Sequence, residues 1–241
     1  MRWCALLLAN LCWLAPWCYG ASANLAVATN FRDAALTLAQ EFSARTGHEL
    51  KVSAGSTGKL YAQIRHGAPF DIFLAADQQR PQQLQQDGLA ASAPQTYALG
   101  SLVLIGSGVL NERTLAESGF NKLAIANPEL APYGMAATQA IEHLGVADIV
   151  EGRIVQGENV GQTLAMVLSG NAELGLVARA LASVTGDLAT WSVPAHWHEP
   201  IAQDGVLLSA GAGNPAAVSF YEFLYTPSAQ QLIRAAGYEV P

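Results

Sequence analysis

Cysteine is nearly absent from this chain, and the three that occur, Cys4, Cys12 and Cys18, all lie close to the N-terminus. A chain that lost this segment would contain no thiol, which excludes disulfide bonds and a cysteine nucleophile. Its stability must then come from an apolar core, for which a 51% apolar composition is ample.

Basic residues are also scarce. The chain has 12 Lys and Arg against 19 Asp and Glu, a formal net charge of −7. It therefore lacks the broad positive field that attracts nucleic acid or membrane phosphate. We expect no nucleic-acid partner, and any anion that binds must be recognised by local groups.

A long hydrophobic run is missing as well. The apolar stretch at residues 5–14 is shorter than the roughly 20 residues that span a membrane. Arg2 precedes it and the small residues 21–23 follow it, which is the layout of a cleavable signal peptide. We predict that residues 1–23 are removed, that the mature chain begins at Asn24, and that the protein is periplasmic.

The rest of the chain alternates between strand-like and helix-like periodicity. Residues 25–29 are typical of a buried strand, and Phe31, Ala34 and Leu38 then follow at helical spacing until Gly47. Similar alternation recurs to the C-terminus. Strands that alternate with helices in this way predict an α/β fold with parallel strands.

Two longer strand-like runs, residues 97–105 and 202–209, bracket a middle portion with its own alternation. We interpret them as hinge strands between two lobes. On this interpretation lobe one comprises residues 24–100 plus 206–241, and lobe two comprises residues 101–205.

Polar and small residues mark four junctions between a predicted strand and the next helix. Helix N-termini at the carboxyl ends of strands present unpaired N–H groups that suit anions. Each junction alone is also explained by ordinary helix capping. The junction at residues 55–58 is distinctive because Ser56 and Thr57 place two hydroxyls beside free amides with no carboxylate between them. The four junctions are Thr29-Asn30, residues 55–58, residues 132–134 and residues 159–161.

These motifs resemble the periplasmic molybdate-binding proteins of ABC transporters over nearly the whole predicted mature chain. The family's first-lobe landmarks are matched in order by residues 27–31, 53–58, 61–64, 67–69 and 75–77. Its middle segment is matched by residues 126–128, 131–134, 159–162 and 175–177. The resemblance implies a two-lobed type II binding protein, each lobe a mainly parallel sheet flanked by helices, joined by two hinge strands.

The resemblance also implies a ligand and a site. The ligand would be molybdate or tungstate, held as an oxyanion with no cofactor and no protein-coordinated metal cation. Many relatives have a tyrosine where this chain has Ala178, so one hydroxyl contact is expected to be missing. The partner would be an inner-membrane ABC permease, and the protein would be a monomer and not an enzyme. The implied ligand-binding residues are Thr29, Asn30, Ser56, Thr57, Tyr133 and Val160.

The residues narrow the ligand independently, because a protonated anion needs an acceptor in its pocket whereas a deprotonated one needs only donors. The four junctions offer almost only donors, which disfavours phosphate and favours molybdate, tungstate or sulfate. Glu158 is the exception, and beside a helix N-terminus it more often interacts with the helix dipole. The choice of molybdate over sulfate rests on the resemblance.

Two other functions stay open at this point. The first is a metal site, because residues 196–199, His-Trp-His-Glu, place two imidazoles and a carboxylate close together. No further histidine elsewhere in the sequence has the spacing of an additional metal ligand. A secreted hydrolase using Ser56 is the second alternative, although Ser56 does not lie in a Gly-x-Ser-x-Gly motif.

Overall fold

The framework of the protein consists of two five-stranded sheets. The structure, a computed structural model, describes residues 20–117 and 119–241, without the side chains of residues 183 and 184. All three cysteines and most of the predicted leader lie outside the described residues. No helix in the described ranges is long and apolar enough to cross a membrane.

The described chain contains ten strands and eight α-helices. The strands are β1 (Ser22–Ala28), β2 (Glu49–Gly55), β3 (Ile72–Leu74), β4 (Gln95–Gly100), β5 (Leu102–Gly106), β6 (Leu123–Ala126), β7 (Ile154–Gly157), β8 (Leu174–Ala178), β9 (Ala189–Ser192) and β10 (Ile201–Leu207). The helices are α1 (Arg32–Thr46), α2 (Thr57–Arg65), α3 (Gln79–Gln86), α4 (Pro132–His143), α5 (Ala147–Val150), α6 (Val160–Leu168), α7 (Pro215–Leu224) and α8 (Pro227–Ala235).

The first sheet has the order β2-β1-β3-β10-β4, and the second has the order β7-β6-β8-β5-β9. In each sheet the first three strands are parallel and the last two pairings are antiparallel. We call the part of the chain built on the first sheet the first lobe and the other part the second lobe. The expected two-lobed α/β fold is confirmed, although both sheets are mixed rather than mainly parallel.

Strand β1 is covered by helices on both faces, which explains its continuous apolar sequence. Leu25 and Val27 pack with α1, α7 and α8 on one face, and Ala26 packs with Leu60 of α2 and Leu84 of α3 on the other. The alternation follows from the two-residue period of a strand. Helix α1 ends as predicted at Gly47, whose φ of 74° is the left-handed conformation that favours glycine.

The two predicted hinge strands differ in the structure from their predicted form. The run at residues 97–105 is two strands, because the chain leaves the first sheet after Gly100 and enters the second at Leu102. The second run, β10, lies wholly in the first sheet and pairs with β3 and β4. Residues 201–205 therefore belong to the first sheet and not to the predicted lobe two, residues 101–205. Periodicity marks a strand but not the sheet it joins.

The two lobes pack against each other in this structure. Ala28, the last residue of β1, and Ala76, two residues after β3, belong to the same buried apolar cluster as the core of the second lobe. The backbone N–H of Gly58 donates to the carbonyl of Leu130 across the boundary, with an N to O distance of 2.9 Å. The structure is thus a closed arrangement of the lobes.

Strand β1 begins at Ser22, two residues before the predicted mature start at Asn24. Ser22 pairs with Glu49, and the Ala23 side chain is fully buried. The backbone N–H of Ala21 also donates to Nδ1 of His48 at 3.0 Å. Residues 21–23 therefore contribute to the first lobe.

Candidate functional site

Four junctions between a strand and a helix line the boundary between the lobes. Two follow the parallel strands β1 and β2 of the first sheet, and two follow β6 and β7 of the second. The carboxyl ends of neighbouring parallel strands meet at one edge of a sheet, which brings each pair together. The junction residues are Thr29-Asn30, Ser56-Thr57, Pro132-Tyr133 and Asn159-Val160.

Ser56 and Thr57 begin α2 with both side chains buried. Ser56 is the N-cap, and its Oγ accepts from the backbone N–H of Lys59 at 3.4 Å. Thr57 Oγ1 accepts from the backbone N–H of Ala76 at 3.1 Å. In both cases the oxygen is used as an acceptor, so the hydroxyl proton is left to donate to a ligand.

Thr29 and Asn30 lie in a single 3-10 turn, Thr29–Phe31, between β1 and α1. The buried Asn30 amide Nδ2 donates to Gln203 Oε1 at 2.8 Å and to Tyr238 Oη at 3.1 Å. Tyr238 in turn donates to the Asn30 carbonyl at 2.6 Å. The bonds of Nδ2 to Gln203 and Tyr238 use both protons of the Asn30 amide. The backbone N–H is therefore the donor that Asn30 can offer a ligand.

In the second lobe, the start of α6 is a reciprocal cap. Asn159 Oδ1 accepts from the Gln162 N–H at 3.0 Å, and Gln162 Oε1 accepts from the Glu158 N–H at 2.6 Å. Val160, the first residue of the helix, is 3% exposed. Its side chain has no polar atom, so the donor here is its backbone N–H, which has no partner within the helix.

Tyr133 is in the first turn of α4, after Pro132, and is almost fully buried. Its ring reaches across to the first lobe, because a Cβ built on Gly100 would lie 2.1 Å from Tyr133 Oη. Burial raises the pKa of Tyr133 well above its ordinary value, so the hydroxyl stays protonated. A protonated hydroxyl remains a donor.

Direct contacts join the junctions of opposite lobes. A Cβ built on Gly161 would lie 2.5 Å from Thr29 Cγ2, so the backbone of α6 lies against the Thr29 side chain. Lys59 Nζ pairs with Glu158 Oε1 at 2.7 Å, again across the boundary. Lys59 is therefore an ion-pair partner between the lobes, and Glu158 is turned toward it.

Three buried polar atoms in the described part of the chain have no hydrogen-bond partner: Thr29 Oγ1, Tyr133 Oη and Gln203 Nε2. Buried polar groups are nearly always paired, so each orphan needs an explanation. All three can donate. They belong to the β1 junction, the α4 junction and β10, and Gln203 bonds the same Asn30 that follows Thr29.

Gln203 is absent from the predicted site because it lies within a strand, away from any strand-to-helix junction. The polar pair Gln203-Asp204 within the otherwise apolar strand β10 is the one sequence signal that points to it. The residues that were predicted from the sequence all lie at the boundary between the lobes. Ala178 is fully buried at the end of β8, where it has no hydroxyl to offer.

His196 of the alternative metal site packs against the rings of His143 and Trp197. His196 and Trp197 both contact His143, with ring centroids 5.6 Å and 5.5 Å from it. Among the residues that the structure describes, no three His, Cys, Asp or Glu side chains are grouped to hold a metal ion.

A closed cleft between two α/β lobes, with hydrogen-bond donors on both sides, defines a two-lobed solute-binding protein. The chain belongs to the family described as bacterial extracellular solute-binding protein, which matches residues 23–239.

Several individual proteins are similar to this chain in sequence or in structure. The chain is 40% identical to the molybdate-binding protein ModA of Azotobacter vinelandii over 226 residues, covering 90% of each chain. It is 37% identical to ModA of Rhodobacter capsulatus, covering 88% of this chain and 86% of the relative. The solved structure of the periplasmic molybdate-binding protein of A. vinelandii matches with a TM-score of 0.85 at 38% identity, covering 91% of this chain and 99% of that one.

Proposed function

We propose that this protein captures molybdate, and also tungstate, between its two lobes and delivers it to an inner-membrane ABC importer. The observation that carries the proposal is the group of three unpaired buried donors, Thr29 Oγ1, Tyr133 Oη and Gln203 Nε2. An oxyanion in the cleft supplies acceptors for the two hydroxyls of this group, Thr29 Oγ1 and Tyr133 Oη. The names of the relatives at 40% and 37% identity give the particular anion.

The ligand-binding groups in this proposal come from both lobes. The first lobe provides the hydroxyls of Thr29, Ser56 and Thr57 and the backbone N–H of Asn30. The second lobe provides the Tyr133 hydroxyl and, at the start of α6, the backbone N–H of Val160. A ligand that contacts both lobes at once stabilises the closed arrangement.

The charges near the cleft favour a fully deprotonated anion. Asp204, a buried carboxylate next to Gln203, already accepts from Thr96 Oγ1 at 2.7 Å and from Gln78 Nε2 at 3.2 Å. Lys59 and Glu158 neutralise each other. The cleft therefore presents neutral donors, and a protonated phosphate finds no carboxylate to accept its proton among the proposed ligand-binding groups.

Isothermal titration of the purified exported protein with molybdate, tungstate, sulfate and phosphate tests the proposal. We expect tight one-to-one binding of molybdate and tungstate, with sulfate far weaker and phosphate undetectable. If neither molybdate nor tungstate produces heat, the assignment is overturned. If sulfate binds more tightly than both, sulfate is the ligand instead.

The alternatives have weaker support. A sulfate-binding protein, SubI of Mycobacterium tuberculosis, has a TM-score of 0.75 but only 15% identity, which speaks for the fold alone. For a hydrolase, Ser56 Oγ would need an adjacent base, whereas its bond in this structure is to the Lys59 N–H at the helix cap.

Export and assembly also belong to the proposal. We expect a periplasmic monomer whose leader is removed, and intact mass measurement of the exported protein identifies the cleavage site. A start at Asn24 would place its charged amino group by Asp71 Oδ2, which lies 2.6 Å from the Asn24 nitrogen. A start at Ala21 would instead keep the pairing of Ser22 and Ala23 with β2.

A further inference from the structure

We propose that Gln203 is a positioning residue that turns the Tyr133 hydroxyl toward the bound anion when the lobes close. The inference rests on the proposed function. It assigns a role in ligand binding to a residue of β10 that belongs to none of the four junctions.

The position of Gln203 is unusual for a polar side chain. It is fully buried, and the pairing of β10 with β4 shifts register between Gln203 and Asp204. An irregularity of this kind re-aims a side chain. A buried amide without a full set of partners is costly, so its retention calls for a function.

One end of the Gln203 amide is held by the first lobe. Its Oε1 accepts from Asn30 Nδ2 at 2.8 Å and from Tyr97 Oη at 3.3 Å. Tyr97 Oη also bonds the Ala75 carbonyl at 2.9 Å. These bonds determine which way the amide faces, and the Nε2 donor is turned away from Asn30 because the two atoms of an amide point in different directions.

The other end meets the second lobe. A Cβ built on Gly100 would lie 3.0 Å from Gln203 Nε2 and 2.1 Å from Tyr133 Oη, so the two unpaired atoms flank the same point. Gly100 is the last residue of β4 before the chain crosses to the second lobe. The tyrosine of α4 thus enters a space that the absent side chain of Gly100 leaves open.

The chemistry of the pair gives the direction of the hydrogen bond. Gln203 Nε2 can only donate, whereas a tyrosine hydroxyl can accept and donate. In the liganded, closed protein Nε2–H donates to Tyr133 Oη, and the tyrosine proton then points to the anion. Chains of hydrogen bonds of this kind strengthen one another. Opening of the lobes withdraws Tyr133 and breaks the chain.

A double-mutant cycle tests this role. Gln203→Met keeps the approximate volume but removes the donor, and Tyr133→Phe removes the hydroxyl. We expect Gln203→Met to weaken molybdate binding by about two- to tenfold in the wild-type background, as for loss of a hydrogen bond between neutral groups. In the Tyr133→Phe background the same substitution should cost clearly less. Gln85→Met, on the exposed face of α3, is the matched control and should bind like wild type.

Equal losses in both backgrounds, or no loss in either, would overturn the role of Gln203. Since wild-type protein is titrated alongside, absence of molybdate binding there refutes the proposed function instead. If Gln203→Met does not fold, the side-chain amide resonances of Gln203 in ¹⁵N-glutamine-labelled protein decide. They should shift on addition of molybdate in wild type and much less in Tyr133→Phe, and equal shifts in the two proteins contradict the proposal.

Discussion

The two lobes have the same strand arrangement but present different chemistry to the cleft. In each sheet the functional junctions follow the second strand in the order, β1 or β6, and the edge strand beside it, β2 or β7. At these places the first lobe buries the polar side chains of Asn30, Ser56 and Thr57. The second lobe buries Tyr133 and the apolar Val160.

This difference indicates a division of roles. On the proposed function, recognition in the first lobe depends mainly on side-chain hydroxyls that neighbouring backbone groups hold in place, such as Thr57 by the Ala76 N–H. In the second lobe, on the proposed function, the Tyr133 hydroxyl acts together with the backbone N–H at the start of α6, for which the identity of the Val160 side chain matters less. Substitutions should therefore have unequal effects in the two lobes.

The largest effect is expected from substitutions at the two junctions that follow the edge strands β2 and β7. Thr57→Val preserves shape but removes the hydroxyl, and should weaken molybdate binding by about 1.5–3 kcal/mol, the contribution of a hydrogen bond to a charged group. Val160→Ala keeps the backbone N–H and should change affinity much less. Calorimetric titration compares them, with Thr37→Val on the exposed face of α1 as control. Equal losses at residues 57 and 160 would contradict the division of roles.

Close approach of the second-lobe backbone is tested by Gly161→Ala. The added Cβ would lie 2.5 Å from Thr29 Cγ2 across the cleft. Overpacking of this kind costs about 1–3 kcal/mol, so we expect weaker molybdate binding. The unliganded protein should keep its melting temperature, because alanine favours a helix. Gly213→Ala, which meets no atom within 4 Å, is the control. Unchanged affinity in Gly161→Ala would mean that the lobes do not close onto this contact.

A smaller effect is expected from the ion pair between the lobes. Lys59 and Glu158 have side chains that are 45% and 60% exposed. Such pairs contribute about 0–1 kcal/mol and are screened by salt. Lys59→Met should weaken molybdate binding slightly at low salt and not at high salt. Arg65→Met breaks the pair with Asp87 within the first lobe and is the matched control. A large, salt-independent loss in Lys59→Met would indicate that the ammonium contacts the anion.

The smallest expected effect concerns pH. Burial raises the pKa of Tyr133 above its ordinary value of about 10. Since a raised pKa keeps the hydroxyl protonated, its donor is retained and affinity should be flat between about pH 7 and about pH 10. Fluorescence titration across this range, with Tyr133→Phe as control, checks it. A decline in wild type that Tyr133→Phe lacks would show that the tyrosine ionises.

Local sequence predicted much of the fold. The alternation of strands and helices and the end of α1 at Gly47 both follow from nearby residues. What local sequence missed is which sheet a strand joins. Residues 97–105 are one apolar run, but the chain changes sheet within it. Pairing depends on partners such as Ile201, which lies opposite Gly100 and far from it in sequence.

The candidate site, like the fold, could be predicted only in part from local sequence. Sequence motifs point to the four junctions because capping residues and small residues leave a local signal. Asn30 is one of the predicted ligand-binding residues, and only the tertiary structure shows that its side-chain amide is bonded to Gln203, 173 residues away. The ion pair between Lys59 and Glu158 likewise joins opposite lobes.

By itself the sequence determined the α/β class, the scarcity of positive charge and the donors at the starts of α2 and α6, because each depends on composition or on residues a few positions apart. Only the tertiary structure decided that Gln203 and Tyr133 flank Gly100, and that the backbone of Gly161 lies against Thr29. The reason is that these contacts join distant parts of the chain, and no local period or spacing encodes them.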